Sequence, residues 1–170
     1  YRHRCVCIEG AIAYEHVYNM INWMPKVALN SYYFQFYAGD AFFGLWYKHK
    51  YNPYLEAEPY TFDEALANKA KVFEELERRG IIGVGPGHGF CLFPFGIYEI
   101  HPDPSDPRIT PEFISYMAQI DGKRGLFKDK ANFTQLCYSN PKVRSLMIDG
   151  AIKYCKEHPE DNAVIADGSY

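Results

Sequence analysis

The chain has 170 residues and a mass of 19.7 kDa, the size of one domain or a piece of a larger one. Hydrophobic residues make up 48% and charged residues 23%, which excludes a disordered chain. The net charge of -3, with no basic block, excludes the clustered cations that a nucleic-acid partner requires. Mean hydropathy is -0.33, and no apolar run approaches the roughly 20 residues that span a bilayer. Aromatic residues reach 17%, and rings are costly to leave in water, so they must fill a core, an interface or a ligand site.

The chain opens at Tyr1 without a Met or a signal peptide. Arg4-Cys5-Val6-Cys7-Ile8 reads as a first strand. Cys5 and Cys7 alternate along it and can share a face. A metal pair is one reading, and buried structural thiols are the favoured one. The five cysteines, with no compact spacing, do not form a disulfide framework. A helix follows from about Tyr14, with Tyr14, Val17, Tyr18, Ile21 and Met24 on one face, and Pro25 kinks or ends it. Residues 31–36 form an aromatic second strand.

Thr61-Phe62-Asp63-Glu64 is a capping box opening the next helix. Phe62, Leu66, Phe73 and Leu76 line its apolar face, its charges form a solvated face, and Gly80 stops it. The third strand is 81–85. Thr110 caps a short helix with Pro111 at its first position, and Asn140-Pro141 starts the last helix in the same way. Val143, Leu146, Met147, Ala151, Tyr154 and Cys155 give that helix its stripe. Residues 162–166 form a fourth strand, and an end so soon after it suggests a segment of a longer protein.

The order β-α-β-α-β-α-β implies parallel strands. Residues 37–60 and 87–139 are long strand-to-helix loops, on the side where α/β folds carry their active face. Glu9-Gly10-Ala11-Ile12-Ala13 after the first strand lacks a G-x-G-x-x-G, which favours a barrel over a dinucleotide-binding sheet. The fold class is therefore α/β, as the N-terminal half of a (β/α)8 barrel, because a whole barrel needs about 250 residues. Such a half is expected to be inactive alone and prone to self-association through its open edges.

Several motifs resemble the front half of the catalytic barrel of the beta-N-acetylhexosaminidases. They are the spacing Arg4 to Glu9, Asn30 before the second strand, Pro86-Gly87-His88 after the third, and Leu136 to Pro141 before the last helix. Gln35 stands where that family has a His, and Asp167-Gly168 where it has Asp-Glu. The run Gly85 to Phe90 and the run Gln135 to Pro141 resemble still more closely a family of large gut-bacterial proteins. These carry a domain of unknown function similar to hexosaminidase and alpha-glucuronidase barrels. The resemblance implies a glycoside hydrolase and an envelope or secreted location, whereas the odd cysteine count leans toward a reducing compartment.

Glycoside hydrolysis uses two carboxyl groups. Asp167, at the outlet of the fourth strand, is the first candidate, and a turn aspartate is its plain alternative. By resemblance Asp167 orients the substrate and the following residue is the acid. That residue here is Gly168, so the acid comes from Glu9, Asp40, Glu99 or the missing half of the barrel. His88, between two glycines, orients the acid or bonds a sugar hydroxyl, unless it is a loop His satisfied by backbone. Arg4 binds sugar hydroxyls or forms a core ion pair. Glu9 binds a hydroxyl or caps the first helix, and Gln35 lines the site. Among the rings of 37–54, which otherwise pack the loop's own small core, Trp46 is the one placed to stack on a sugar. No metal-ligand spacing is found, so neither a metal nor another cofactor is expected. The expected partners are a carbohydrate and the remaining half of the barrel. The rival readings are a non-catalytic carbohydrate-binding barrel and an α/β enzyme of another kind.

Overall fold

A computed structural model describes residues 2–7, 13–87, 89–99 and 102–159, with backbone alone at Ala41 and Phe42. The expected fourth strand, 162–166, lies outside them. Strand β1 (Cys5–Cys7) leads to helix α1 (Tyr14–Trp23). Tyr14, Val17, Ile21 and Met24 are buried along one side and Tyr18 is half-buried, as the spacing predicts. Each buried aliphatic side chain of that stripe contributes about 1.5–3 kcal/mol. Before Pro25 the helix tightens into a 3-10 turn, Met24–Val27, and Ala28 at φ 60 redirects the chain into β2 (Ser31–Tyr33). β2 is shorter than the predicted 31–36. Phe34, Gln35 and Phe36 are all buried rather than alternating, so the chain past Tyr33 is a packed wall and not a pleat.

The predicted loop 37–60 contains a helix, α2 (Asp40–Tyr47). It is eight residues long, has no side-chain cap and carries Gly44 in its middle, so it leaves no periodic signal to read. Phe43 stacks on Tyr14 at 4.2 Å and Tyr47 on Tyr60 at 4.9 Å, so these rings do pack, whereas Tyr51 and Tyr54 are 91% and 93% exposed. Helix α3 (Phe62–Arg78) opens with the predicted capping box. Thr61 Oγ1 accepts from Glu64 N–H at 3.2 Å, and Glu64 Oε2 accepts from Thr61 N–H at 2.6 Å. Its buried stripe is Ala65, Lys69, Val72 and Leu76, with Phe62, Leu66 and Phe73 half-buried. Lys69 thus leaves the solvated face expected of the helix's charges. The helix stops at Gly80, φ +63, where Ile81 N–H bonds back to Leu76 O at 2.9 Å.

Strand β3 (Ile82–Val84) completes a parallel three-stranded sheet of order β1-β2-β3. The register pairs Cys5 with Ser31, Val6 with Tyr32 and Cys7 with Tyr33, and then Tyr32 with Gly83. Val6, Tyr32 and Gly83 therefore share the face that packs on α1 and α3, in a core with Val17, Ile21, Val72 and Leu76. The opposite face is thinly covered. Cys5 and Cys7 on it are exposed, and Tyr33, Ile82 and Val84 are half-buried. The thiols of Cys5 and Cys7 are accordingly not the buried pair that was expected.

Residues 89–99 and 102–157 build a second unit where a long loop with one short helix, followed by the last helix, was expected. It holds a 3-10 segment (Phe90–Phe95), helix α4 (Pro111–Ser115), a two-stranded hairpin of β4 (Gln119–Ile120) and β5 (Lys123–Arg124), and helix α5 (Pro141–Glu157). Both predicted caps are present. Thr110 Oγ1 accepts from Phe113 N–H at 3.1 Å, and Asn140 Oδ1 from Lys142 N–H at 2.9 Å. The unit has its own core of Leu92, Ile97, Phe113, Met117, Leu136 and Val143. A third cluster, Phe90, Phe93 and Tyr154 with Tyr37 and Tyr98, joins it to the sheet. Cys155, expected in the stripe of α5, is exposed.

Thr61→Ala removes one bond of the capping box and leaves the Glu64 carboxylate without its hydroxyl partner. Urea unfolding is expected to show a loss of about 1 kcal/mol.

Candidate functional site

Parallel strands deliver their carboxyl ends to one side, and here these ends meet at Gln35. Cys7, the last residue of β1, directs its Sγ to Gln35 Oε1 at 3.9 Å. Beyond β2 the ladder runs one bond further, Phe34 N–H to Val84 O at 2.7 Å. Beyond β3, Gly87 N–H donates to Gln35 O at 2.6 Å. Gln35 is buried, so one residue ties all three outlets together. Gly87 leaves no room for a side chain, because an added Cβ would collide with the Tyr33 hydroxyl. The mouth therefore presents a thiol, a carboxamide and a phenol, with the backbone of Gly87 beneath the phenol.

The expected site residues divide into groups. Gln35 is at the mouth. Glu9, His88 and Asp167 lie outside the described residues, as does Gly168. Trp46 is on α2 and 43% exposed, with its ring 5.9 Å from that of His16 and 6.4 Å from that of His49. Arg4 is corrected. Its backbone N–H donates to Asn30 Oδ1 at 2.8 Å, and its Nε donates to Ala28 O. Ala28 and Asn30 precede β2, so these bonds hold Arg4 at the amino end of the sheet, away from the mouth. Cys7 and Tyr33 were missed. The signal that could have found them is parity, since Tyr33 and Gln35 are two apart and Cys7 pairs with Tyr33.

The alternative acids also separate. Glu99 Oε1 accepts from Arg108 Nη2 at 2.9 Å, and Glu99 Oε2 accepts from Tyr98 N–H at 3.0 Å. Burial pushes this carboxyl up, but the guanidinium and the backbone donors outweigh it and hold Glu99 below the usual carboxylate range. A group so held is ionised at neutral pH and is a poor proton donor. Arg108 also takes Asp106 Oδ2 at 2.6 Å and Gly96 O at 2.7 Å, which pins the 96–110 segment. Asp40 is different. It opens α2, just past the carboxyl end of β2, and its Oδ1 is shielded from solvent.

Among the described residues, no three His, Cys, Asp or Glu side chains converge as a metal set, and no helix is long and apolar enough to cross a membrane. A groove of about 1020 Å3 runs along the outer side of β3, away from the mouth. Compared with family models, curated proteins and solved structures, the chain matches none.

Hydrogen bonds from the Arg108 side chain and backbone pull Asp106 from its ordinary 3.8 down to about 2. The stabilisation is complete above pH 3.8 and is lost as pH falls through about 2, because the unfolded carboxyl takes its proton first. Arg108→Met is expected to flatten this acid limb, read as the urea midpoint at about pH 5 and about pH 3.

Proposed function

We propose that this chain is the front half of a (β/α)8 barrel belonging to a glycoside hydrolase that acts on oligosaccharides or glycoconjugates. The observation that carries the reading is the convergence of three parallel outlets on Gln35, through Cys7 Sγ and Gly87 N–H. Barrels of parallel strands place their chemistry at this end. The uncovered sheet face supports the same reading. Parallel sheets are covered on both sides, and here, among the described residues, helices cover only one.

In this reading His88, the residue after Gly87 in the sequence, orients the reacting groups. Asp167 is the polarising or catalytic carboxylate. Glu9 and Gln35 bond sugar hydroxyls, and the exposed ring of Trp46 stacks on a sugar face at the rim. Arg4 Nε donates to Ala28 O at the amino end of the sheet. The proton donor is Glu9, Asp40 or an acid of the remaining half, because Arg108 keeps Glu99 ionised. A donor about 5–5.5 Å from Asp167 makes the enzyme retaining, and one about 6.5–9.5 Å away makes it inverting. The chemistry needs no cofactor, only two carboxyls and water.

One observation favours a second reading, a non-catalytic carbohydrate-binding barrel. Gly168 stands where the resembled family has its acid, and the nearby alternative Glu99 is sequestered. A screen of chromogenic glycosides with the complete protein separates the two. Hydrolysis that falls by about a hundredfold or more in Asp167→Asn supports the enzyme. Turnover unchanged by the substitution removes Asp167 from the mechanism, and sugar binding without turnover establishes the binder.

A further inference from the structure

The second unit carries a pocket of about 400 Å3 where the segment Phe90–Phe95 meets the opening turns of α4 and α5. That volume falls in the roughly 300–1,000 Å3 range of small-molecule sites. Half-buried Phe95 and Leu146 supply apolar lining, backed by buried Tyr116. The Phe95 ring is fixed in place. Phe113 meets it edge-on at 4.8 Å, and Tyr116 stacks with it at 5.8 Å. Glu112, Lys142 and Arg108 give the pocket its charged groups.

These polar groups are paired with one another or with near neighbours, and each retains capacity for one more bond. Glu112 Oε1 accepts from the Tyr116 hydroxyl at 2.6 Å and from Lys142 Nζ at 3.2 Å. The two donors hold the Glu112 carboxyl below the usual range, so it is ionised at neutral pH. Its Oε2 makes no hydrogen bond among the described residues. Lys142 Nζ lies 5.1 Å from the Tyr116 ring centroid, and Glu112 and the Tyr116 hydroxyl engage at most two of its three N–H groups. Arg108 directs Nε and Nη2 to Asp106 and Glu99, and one Nη1 hydrogen to Gly96 O. The second Nη1 hydrogen remains.

The pairing decides the class of ligand. Glu112 matches Lys142, and Asp106 and Glu99 match Arg108, so an ionic ligand finds no unmatched charge here. An uncharged ligand with adjacent hydroxyls leaves every pair intact. One hydroxyl donates to Glu112 Oε2 while its neighbour accepts from Lys142 Nζ. A pyranose carries such hydroxyls around its edge and an apolar C–H face that suits the Phe95 ring. We infer that this pocket is a second carbohydrate site, which takes one neutral pyranose unit with Phe95 as platform, Glu112 as acceptor and Lys142 as donor. The inference rests on the carbohydrate reading and extends it. None of the residues at the mouth lines this pocket, so a sugar chain can be held here by a part of the protein that does not carry the reacting groups.

The complete protein labelled with 4-fluorophenylalanine reports the pocket through the 19F signal of Phe95, assigned by its loss in Phe95→Leu. The probes are the methyl glycosides of glucose, galactose and N-acetylglucosamine, each titrated to about 50 mM, with methyl glucuronide and inorganic phosphate as charged comparators. At least one neutral glycoside is expected to shift the signal saturably, with a Kd of about 1–10 mM. Glu112→Gln places an N–H donor where the hydroxyl needs an acceptor, and is expected to raise that Kd at least about tenfold. Lys142→Met is expected to weaken binding in the same direction. The inference is overturned by the absence of a saturable shift with every neutral glycoside, by tighter binding of either charged comparator, or by a Kd that both substitutions leave unchanged. The Phe95 signal reads this pocket alone. Saturable binding here without any hydrolysis supports the site and not the enzyme, and hydrolysis that depends on Asp167 without a shift at Phe95 does the reverse.

Discussion

Parallel pairing in register is the constraint from which the rest of this structure follows. Two parallel neighbours cannot be joined by a tight turn, so each pair of strands needs a crossover, and here α1 and α3 end the two crossovers. Both return on the same side of the sheet. Val6, Tyr32 and Gly83 are consequently sealed, and the alternate residues Cys5, Cys7, Tyr33, Ile82 and Val84 look out from the other side. The same directionality gathers the strand ends. Because all three strands run one way, Cys7, Gln35 and Gly87 arrive together, and buried Gln35 accepts from both neighbours. The bare face and the gathered mouth are two consequences of one arrangement.

The second unit has a core of its own. Residues 89–157 pack around Phe113, Met117 and Leu136, independently of the sheet's own core. The two cores touch through rings. Tyr37 stacks on Tyr98 at 4.6 Å and meets Phe93 edge-on at 5.3 Å, and Tyr154 lies 5.6 Å from Phe93. Such pairs add about 0.5–1.5 kcal/mol each beyond their buried area. A seam of this kind holds the second unit against Tyr37, just past β2, without extending the sheet. It also brings the end of α5 back to the outer side of β3.

What could be read from the residues was whatever is encoded locally. The capping boxes and caps at Thr61, Thr110 and Asn140 announce themselves by residue type and spacing, and each is made as read. The stripe of α1 and its end near Pro25 follow from a period of three and four. Helix α2 escaped because it has no cap and too few turns for a period. The buried Lys69 escaped because a lysine among Asp, Glu and Arg reads as solvated until the rings of Phe34, Tyr37 and Phe73 are seen around it. The exposed thiols of β1 were misjudged because an apolar strand looks buried on both sides, whereas only one side is covered. At the site, Gln35 could be found from its position after β2. The bond from Arg4 Nε was not visible, because the carbonyl that accepts it belongs to Ala28, 24 residues further along.

The central claim is that the open face of the sheet is an interior. Alkylation of Cys5 and Cys7, followed peptide by peptide in the complete protein and in the 170-residue chain, tests it most directly. Closure predicts that both thiols react readily in the 170-residue chain and are shielded in the complete protein, while Cys155 on the exposed side of α5 labels in both. Equal reactivity of Cys5 and Cys7 in the two forms would mean that nothing closes over this face, and the barrel account would be wrong.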